Sequence, residues 1–545
     1  MKLSELMAVF ASETVALKAS AAASGTDVSA TGRHDSHLAG DPEITSLHYD
    51  SRTVVPGGLF VALTGFVTDG HQYISMAIDR GAVAVVANHP VAAPVPTVEV
   101  ADTRRALAVL AARFYGNPSR RMTLIGITGT NGKTTTSYLI ENMLAAAGYK
   151  VGVLGTISYR YGSRQMDAPV TTPESADLQR MLKEMCDQGV THAVMEVSSH
   201  ALALNRLEGC AFDVGVFTNL TQDHLDFHKD MAGYWNCKKR LFTDLMAPGP
   251  DKTDAVAVIN QDDPRGTGLA GEVTLPVITV GRGPQNQVRP MDVTVGPEGI
   301  AGRICAGPDE IPIHSALMGE YNLENILCAV GAGMALKLDS AAIGRGIEAT
   351  RSVPGRLEPV ANTAGIYVFV DYAHTPDALE NALRNLRKIA RGRLICIAGC
   401  GGDRDRTKRP LMAGITAKLS DLSILTSDNP RSEDPLAIIE DMVAGVNNGC
   451  RRYDTDHLPE LLDTPGYVVE PDRRRAIRLG IDRARAGDIV LIAGKGHETY
   501  QIIAGRRIDF DDRREAAAAL MQKDSDPAGR MDVGKNGYNG EKDGR

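Results

Sequence analysis

The chain runs to 545 residues, more than one hydrophobic core usually serves, so about three to five domains are expected. Hydrophobic residues at 43% and charged residues at 23% describe an ordinary globular composition rather than a disordered or fibrous one. A net charge of −8 without any long Lys/Arg block excludes a polynucleotide-binding surface as the main business, and no apolar run is long enough to span a bilayer.

From the N-terminus, the apolar stretch Leu3 to Leu17 is broken by Glu5 and Glu13, unlike the core of a secretory signal. The small-residue segment Ala19 to Gly40 is expected to be flexible. Short apolar strands at Leu59 to Leu63, Val83 to Ala87 and Thr97 to Val100 alternate with helical stretches, and a helix is predicted over Thr103 to Tyr115. Gly116-Asn117-Pro118-Ser119 breaks it, which places a domain boundary near residue 118. Residues 1–118 read as a Rossmann-like α/β domain.

Next comes an apolar strand, Met122 to Ile127, then the loop Thr128-Gly129-Thr130-Asn131-Gly132, then Lys133-Thr134-Thr135-Thr136 opening a helix whose apolar residues Leu139, Ile140, Met143 and Leu144 repeat with helical spacing up to Gly148. Strand, glycine loop and helix N-terminus together build a phosphate cradle. Glycine lets backbone N–H groups approach an anion, Lys133 can reach terminal phosphates, and Thr134 offers a hydroxyl to magnesium. Ile127 stands six residues before Lys133, so the operative pattern is the shorter Gly129-x-x-Gly132-Lys133-Thr134, a variant of the usual P-loop.

Further strands are predicted at Ala193 to Val197, Val214 to Phe217 and Ala255 to Ile259, and a helix from Asn322 towards Leu336. A second boundary falls around Ser352 to Gly355, after which strands at Ile366 to Val370, Leu394 to Ala398, Leu422 to Leu425 and Ile489 to Ile492, separated by helices, imply a doubly wound parallel sheet. Lys523 to Arg545 is polar, glycine-rich and aperiodic, and reads as a disordered tail. The eight cysteines are scattered, and the one close pair, Cys396 and Cys400, is not spaced as a zinc or redox motif, so free thiols in a reducing cytoplasm are expected.

Each predicted strand ends in a polar cluster, where open α/β sheets bind ligands. Glu196 in Met195-Glu196-Val197-Ser198-Ser199-His200 and His224 in Asn219-Leu220-Thr221-Gln222-Asp223-His224 could join Thr134 as magnesium ligands. With Tyr321-Asn322-x-x-Asn325 and Pro354-Gly355-Arg356 added, the set resembles the Mur ligase family in order and spacing along almost the whole chain, the Ala19 to Gly40 segment and the tail excepted.

That resemblance implies three α/β domains: 1–118 for a UDP-linked muramoyl substrate, a central P-loop-type mononucleotide domain over 119–353, and a C-terminal Rossmann-like domain over 354–522 for the incoming amino acid. ATP and Mg2+ are the implied cofactors. The nucleotide would be held by Gly129, Thr130, Asn131, Gly132, Lys133, Thr134, Thr135, Asn322, Arg356 and Asp371. Leu47-His48-Tyr49-Asp50-Ser51-Arg52 resembles the UDP-binding segment, which nominates Tyr49, Ser51 and the loop Phe66, Val67 and Thr68. Thr171, Thr172, Ser198 and Arg206 match positions for the peptidyl end, with Arg206 suited to a carboxylate. Val170 and Leu204 stand where some members carry Asn and Gln.

In Tyr234-Trp235-Asn236-Cys237-Lys238-Lys239-Arg240-Leu241-Phe242, alignment on the Leu-Phe pair selects Lys238 as the family's carbamylated lysine, a carbamate being a further carboxylate-like ligand for a metal. The implied catalytic set is Lys133, Glu196, His224 and Lys238, and the metal set Thr134, Glu196, His224 and Lys238 as carbamate. By the same resemblance Arg404, Asp428, Asn429, Pro430, Arg431, Gly494 and Glu498 bind the amino acid. Carboxylates would go to Arg404 and Arg431, ammonium groups to Asp428 and Glu498.

Asp428-Asn429-Pro430-Arg431 resembles the motif of members that add meso-diaminopimelate, and lysine-adding members lack the arginine. The expectation is therefore an ATP-dependent, amide-forming ligase working through an acyl phosphate, monomeric and cytoplasmic, with small-molecule substrates and no nucleic-acid or membrane partner. Because the sites lie on separate domains, closure is expected to assemble them. The rivals are an L-lysine-adding relative, a folylpolyglutamate synthase, and a non-catalytic nucleotide-binding regulatory module.

Overall fold

The computed structural model describes residues 1–10, 16–18, 40–65, 68–223, 225–246, 252, 254–296, 298–447, 449–455, 457–459 and 464–525. Most of the segment expected to be flexible (residues 19–39), Phe66, Val67, His224 and residues 526–545 of the expected tail lie outside these. The chain divides into two compact units, one holding residues 1–295 and 299–351, the other 352–545 with residues 296–298.

The first unit contains two sheets. The smaller is five-stranded, in the order Ala16–Lys18, Thr97–Glu99, Ala82–Ala87, Gly58–Val61, Ser46–His48, parallel except for its first pairing. Successive strand residues point to opposite faces. Leu59, Val61, Ala84, Val86 and Val98 pack with the helix Thr103–Phe114 on one side, while Phe60, Ala62 and Val85 pack with Ile74–Asp79 on the other. Asp102 accepts from the backbone N–H groups of Arg104 and Arg105 and so caps the helix that the sequence predicted.

The larger sheet has twelve strands. Its parallel centre runs Val277–Val280, Val256–Asn260, Val214–Phe217, Thr123–Thr128, His192–Glu196, Val151–Leu154, so the cradle strand Thr123–Thr128 lies in the middle. The helix Lys133–Ala146 carries the chain past one neighbour to Val151–Leu154, whereas Val214–Phe217 pairs on the opposite side of the cradle strand. The chain changes direction at this strand, which is where open sheets of this type bind ligands. Both edges carry antiparallel additions that alternation of helix and strand did not predict: Ser158–Tyr161 with Arg164–Asp167, and Gly299–Ala306 with Asp309–Ser315.

The second unit is a seven-stranded sheet ordered Glu358–Pro359, Tyr367–Asp371, Ile489–Ala493, Leu394–Cys400, Leu422–Ser427, Gly466–Val469, Arg451–Arg452, antiparallel only at its first pairing. The four predicted strands are present, and Gly466–Val469, which was not predicted, pairs in parallel with Leu422–Ser427. One face packs on Arg473–Arg483 and Asp512–Ser525 through Ala476, Ile477, Ile481, Ala516 and Leu520. Pro376–Ile389, Lys408–Leu419 and Pro435–Val443 are the connecting helices of the doubly wound order. The expected tail begins too early: Lys523 belongs to the last helix and donates to the carbonyls of Ile481, Asp482 and Ala484, closing the end of the helix Arg473–Arg483.

Candidate active site

The cradle conformation requires its glycines. Gly129 has φ +148°, and a Cβ there would sit 1.9 Å from Thr218 Oγ1; Gly132 has φ +86°, and a Cβ would sit 2.2 Å from Asn325 Oδ1. No side chain caps the helix that Gly132 opens, so its first backbone N–H groups face the cradle. The loop is braced from the neighbouring strand end: Thr130 N donates to Asn219 O (2.9 Å), Asn131 N to Asn219 Oδ1 (2.9 Å) and Thr218 Oγ1 to Asn131 O (2.7 Å).

Two lysines converge on one carbonyl of the cradle. Lys133 Nζ donates to Gly129 O (2.9 Å) and Thr130 O (2.8 Å), and Lys238 Nζ donates to the same Gly129 O (2.7 Å). Lys238 is 1% exposed and stands 4.6 Å over the ring of Tyr234. Burial first, and the Lys133 charge second, hold its ammonium well below the ordinary lysine pKa.

Glu196 ends the strand beside the cradle and is buried. Its Oε2 accepts from Thr134 Oγ1 (3.0 Å) and Thr156 Oγ1 (2.9 Å), and its Oε1 from Thr156 N (3.0 Å). The Thr134 hydroxyl and the Glu196 carboxylate are adjacent hard oxygen donors, a set that fits Mg2+. Asn322, expected at the nucleotide, turns its amide onto Met318 O (2.8 Å), and Asn325 is the residue that packs on Gly132.

The peptidyl positions come together around Glu196. Thr172 Oγ1 donates to Glu196 O (2.8 Å), Ser198 N donates to Thr172 Oγ1 (3.1 Å), and Thr171 Oγ1 lies 3.1 Å from Thr156 Oγ1. Arg206 already holds an internal anion, since its Nε donates to Glu174 Oε2 (3.1 Å) and its NH1 to Thr172 O (3.1 Å). In the smaller sheet's half of the unit, Tyr49 donates to Asp177 Oδ2 (2.7 Å), and burial with that carboxylate raises its phenol pKa. Ser51 is buried, with Oγ 3.4 Å from Met76 Sδ. Thr68 O accepts from Gly65 N (3.0 Å).

In the second unit the four polar clusters follow four adjacent strands. Asp371 Oδ2 accepts from Leu357 N (2.7 Å), and burial raises its carboxyl pKa against the opposing pull of Arg356, whose guanidinium lies 5.1 Å over the ring of Tyr372. Arg431 takes a left-handed φ of +57°. Its N–H donates to Ile502 O (2.9 Å), and its NH1 reaches Gly402 O (2.7 Å). Gly494, also left-handed at φ +114°, brings the chain close beneath the Asp428 carboxylate. Asn429 Nδ2 donates to Glu498 Oε2 (2.9 Å), and Pro430 O lies against Gly402. Arg404 is exposed and donates to its neighbour's carbonyl, Asp403 O (3.1 Å).

The family models match in chain order: the Mur ligase family catalytic domain over residues 43–115, the Mur ligase middle domain over 127–333, and the Mur ligase glutamate ligase domain over 355–496. The chain belongs to the Mur ligase family. A UDP-N-acetylmuramoyl-L-alanyl-D-glutamate--2,6-diaminopimelate ligase of Geobacter metallireducens is 53% identical over 486 residues, covering 89% of this Mur ligase and 95% of the relative. One of the same name from Geobacillus thermodenitrificans is 46% identical, covering 89% and 97%. A solved structure of an enzyme with that name superposes with a TM-score of 0.64 at 31% identity, covering 88% of this chain and 95% of the other. MurF ligase of Thermotoga maritima in complex with ADP shares the fold, with a TM-score of 0.57 at 18% identity, covering 88% and 97%.

Several residues of this Mur ligase's site escaped the sequence reading. Thr156 follows the strand Val151–Leu154, so the rule that polar residues gather at strand ends could have found it. Lys495 is fully buried between Glu498 (3.0 Å) and Asn429 Oδ1 (3.1 Å), and Gln501 Nε2 donates to Asp428 O (2.7 Å). Lys495, two residues past the strand Ile489–Ala493 and three before Glu498, falls under the same strand-end rule, whereas nothing in the local pattern marks Gln501, whose partner Asp428 follows a different strand.

Proposed function

We infer that this chain is an ATP-dependent ligase that adds meso-diaminopimelate to UDP-N-acetylmuramoyl-L-alanyl-D-glutamate in peptidoglycan synthesis. The D-glutamyl γ-carboxylate attacks the γ-phosphorus of ATP, ADP leaves, and an acyl phosphate forms. The amine of diaminopimelate then attacks the acyl carbon, the amide bond forms, and inorganic phosphate leaves with the electron pair of the broken C–O bond. The amine's proton passes to solvent.

Within the first unit, the cradle N–H groups receive the phosphates, and Lys133 exchanges its two loop carbonyls for phosphate oxygens, placing a positive charge where negative charge develops. Thr134 and Glu196 would hold Mg2+, joined by His224 and a carbamylated Lys238, and the ion would supply charge neutralisation on the phosphates. Burial holds the Lys238 ammonium well below the ordinary lysine pKa, and the neutral amine this favours is the form that adds to CO2, which supports its carbamylation; intact-mass measurement in bicarbonate and in CO2-free buffer tests it. Thr171, Thr172 and Ser198 bind the peptidyl end, and Arg206 takes the substrate carboxylate in exchange for Glu174. Tyr49, Ser51 and the Phe66 to Thr68 loop meet the UDP end. Arg356 and Asp371 serve the nucleotide from the C-terminal domain, and a three-domain division at residues 118 and 353 follows from these assignments.

The observation that carries the choice of amine is the turn Asp428 to Arg431. Asp428 Oδ1 is buried and has no hydrogen-bond partner among the described residues, while Arg431 on the same turn presents a cation. Such a turn fits a group bearing one ammonium and one carboxylate. Phosphate release from ATP that requires both the muramoyl dipeptide and meso-diaminopimelate supports the reading. Release with L-lysine in place of diaminopimelate, and none with diaminopimelate, overturns it. The reading also implies a monomer in the cytoplasm, where the eight unpaired cysteines stay reduced.

A further inference from the structure

Lys495 lies between Gly494 and Glu498 in the polar cluster Gly494-Lys495-Gly496-His497-Glu498 expected to face the crevice, an expectation that gives it no role of its own. Its side chain is 0% exposed. It stands 3.0 Å from Glu498 Oε2 and 3.1 Å from Asn429 Oδ1, but 3.6 Å from Asp428 Oδ1, which leaves that oxygen without a hydrogen bond among the described residues. A buried charge persists only when paired, and here the pairing is uneven. Glu498 takes a hydrogen bond from the shared cation; Asp428 lies within ion-pair distance of it but receives no hydrogen bond at Oδ1.

The surroundings fix this arrangement. Asn429 is held at both ends, its Nδ2 by Glu498 (2.9 Å) and its Oδ1 by Lys495 and by Ile502 N (2.9 Å). Ile502 lies on the hairpin strand Tyr500–Ile503, whose Gln501 also anchors the Asp428 carbonyl. Arg473, the next buried cation, is matched by Asp512 at 2.7 Å and so leaves the local balance unchanged. Asp428, Glu498, Lys495 and Arg431 therefore sum to no net charge, with one carboxylate and one guanidinium left to face a ligand.

We propose that Lys495 is a specificity-determining positioning residue: it donates its hydrogen bonds to Glu498 and Asn429, so that the pocket offers one carboxylate oxygen with no hydrogen bond of its own, Asp428 Oδ1, beside the Arg431 guanidinium. A neutral pocket of this kind accepts an amino acid whose far end is a zwitterion. It disfavours one whose far end is a bare ammonium, because that cation meets Arg431 with no carboxylate of its own and no excess negative charge to receive it. The proposal rests on the diaminopimelate reading and adds to it: Arg431 alone does not set the preference, and the count of buried charges does.

The test compares kcat/KM for meso-diaminopimelate with kcat/KM for L-lysine in the full-length enzyme. Lys495→Met gives the pocket one net negative charge, and the diaminopimelate-to-lysine ratio should fall at least about tenfold, with the KM for ATP and for the muramoyl dipeptide unmoved. The double variant Lys495→Met/Glu498→Gln removes both members of the internal pair, restores neutrality, and should return the ratio to within about threefold of the parent. A ratio unchanged in Lys495→Met, or equally depressed in the double variant, overturns the proposal. If Lys495→Met does not fold because the half-buried Glu498 loses its cation, the double variant decides alone, and a tenfold loss of discrimination in it refutes the charge count. A parent enzyme that uses neither amine instead refutes the functional reading on which the proposal stands.

Discussion

The ion pair beneath the amino-acid pocket gives a prediction whose size follows from geometry. Arg473 and Asp512 are both fully buried, joined by two bonds of 2.7 Å from Nε and NH2 to the two carboxylate oxygens. The same guanidinium donates to Ser427 O (3.2 Å) and Ala493 O (3.0 Å), the last residues of two strands, immediately before Asp428 and Gly494. Asp512→Asn keeps the shape, removes the charge, and turns one amide N–H2 towards the guanidinium. Breaking a buried pair on one side costs about 3–5 kcal/mol, because the remaining charge is desolvated without compensation. For a unit of this size that corresponds to a fall of about 6–20 °C in the midpoint of the transition that unfolds it. The control is Glu515→Gln, which breaks the Arg474–Glu515 pair whose arginine side chain is 65% exposed, and which should cost less than about 1 kcal/mol. Thermal and urea unfolding of both variants measure the difference, and the KM for diaminopimelate in Asp512→Asn should rise while that for ATP holds. Equal, small losses in the two variants would refute the reasoning, since they would mean that the buried arginine finds solvent or another partner at no cost.

Three further outcomes follow from the same structure. Glu196→Gln removes the carboxylate that Thr134 and Thr156 address and should lower kcat by about 10²–10³-fold in steady-state phosphate release, a loss of the size seen when one preorganised charge-stabilising group is removed; a loss under tenfold would take Glu196 out of the catalytic set. Gln501→Ala frees the Asp428 carbonyl and should raise the KM for diaminopimelate several-fold with kcat and the KM for ATP little changed; equal changes in all three constants would make the hairpin merely structural. Lys238→Met, compared with the parent in CO2-free buffer, should be the more stable protein at pH 7. Above pH about 10.5 lysine is neutral folded or unfolded. As pH falls, the unfolded chain takes up a proton that the folded one refuses, so the parent's penalty grows until the pH reaches the folded pKa. The stability gap should therefore widen as pH falls below about 10.5, and a gap independent of pH would mean that the fold does not disfavour the Lys238 ammonium.

Element type was legible wherever the pattern was long and local. The helix Lys133–Ala146 and the strands Thr123–Thr128, Val214–Phe217 and Leu394–Cys400 are uninterrupted apolar periods bounded by glycine or polar residues, and a sheet covered on both faces leaves such runs in the sequence. Arg164–Asp167 is an exposed edge strand in which Met166 is the one apolar residue, too little for a strand pattern to show. The site divides in the same way. Cradle residues could be read because their chemistry is contiguous, from Gly129 to Thr135. Thr156 and Gln501 stand outside any such run and act on Glu196 and Asp428, 40 and 73 positions away, and Asn325, legible within Tyr321-Asn322-x-x-Asn325, gives no local sign that it packs on Gly132, 193 positions away.

Two buried lysines of this chain show how surroundings, rather than residue type, assign a role. Lys495 has carboxylates at 3.0 Å and 3.6 Å and a side-chain amide oxygen at 3.1 Å, so its Nζ is surrounded by partners that accept from it or oppose its charge. Lys238 has a backbone carbonyl, a tyrosine ring and a second lysine, and among the described residues no carboxylate lies within ion-pair distance. An ammonium in that position is favoured by one dipole, the Tyr234 ring and the Asp223 charge, but burial and Lys133 outweigh them and shift the balance towards the neutral amine. Addition of CO2 to it would replace a disfavoured cation by an anion next to Lys133, converting the repulsion into an attraction at the cradle. The feature that costs folding stability at Lys238 is thus the one that makes the amine reactive, and the pH dependence of that cost and the carbamate content measured by mass should change together when Lys133 is replaced by methionine. With the neighbouring charge gone, the amine's pKa should rise and the carbamate become less favoured; a carbamate content unaffected by Lys133→Met would separate the two.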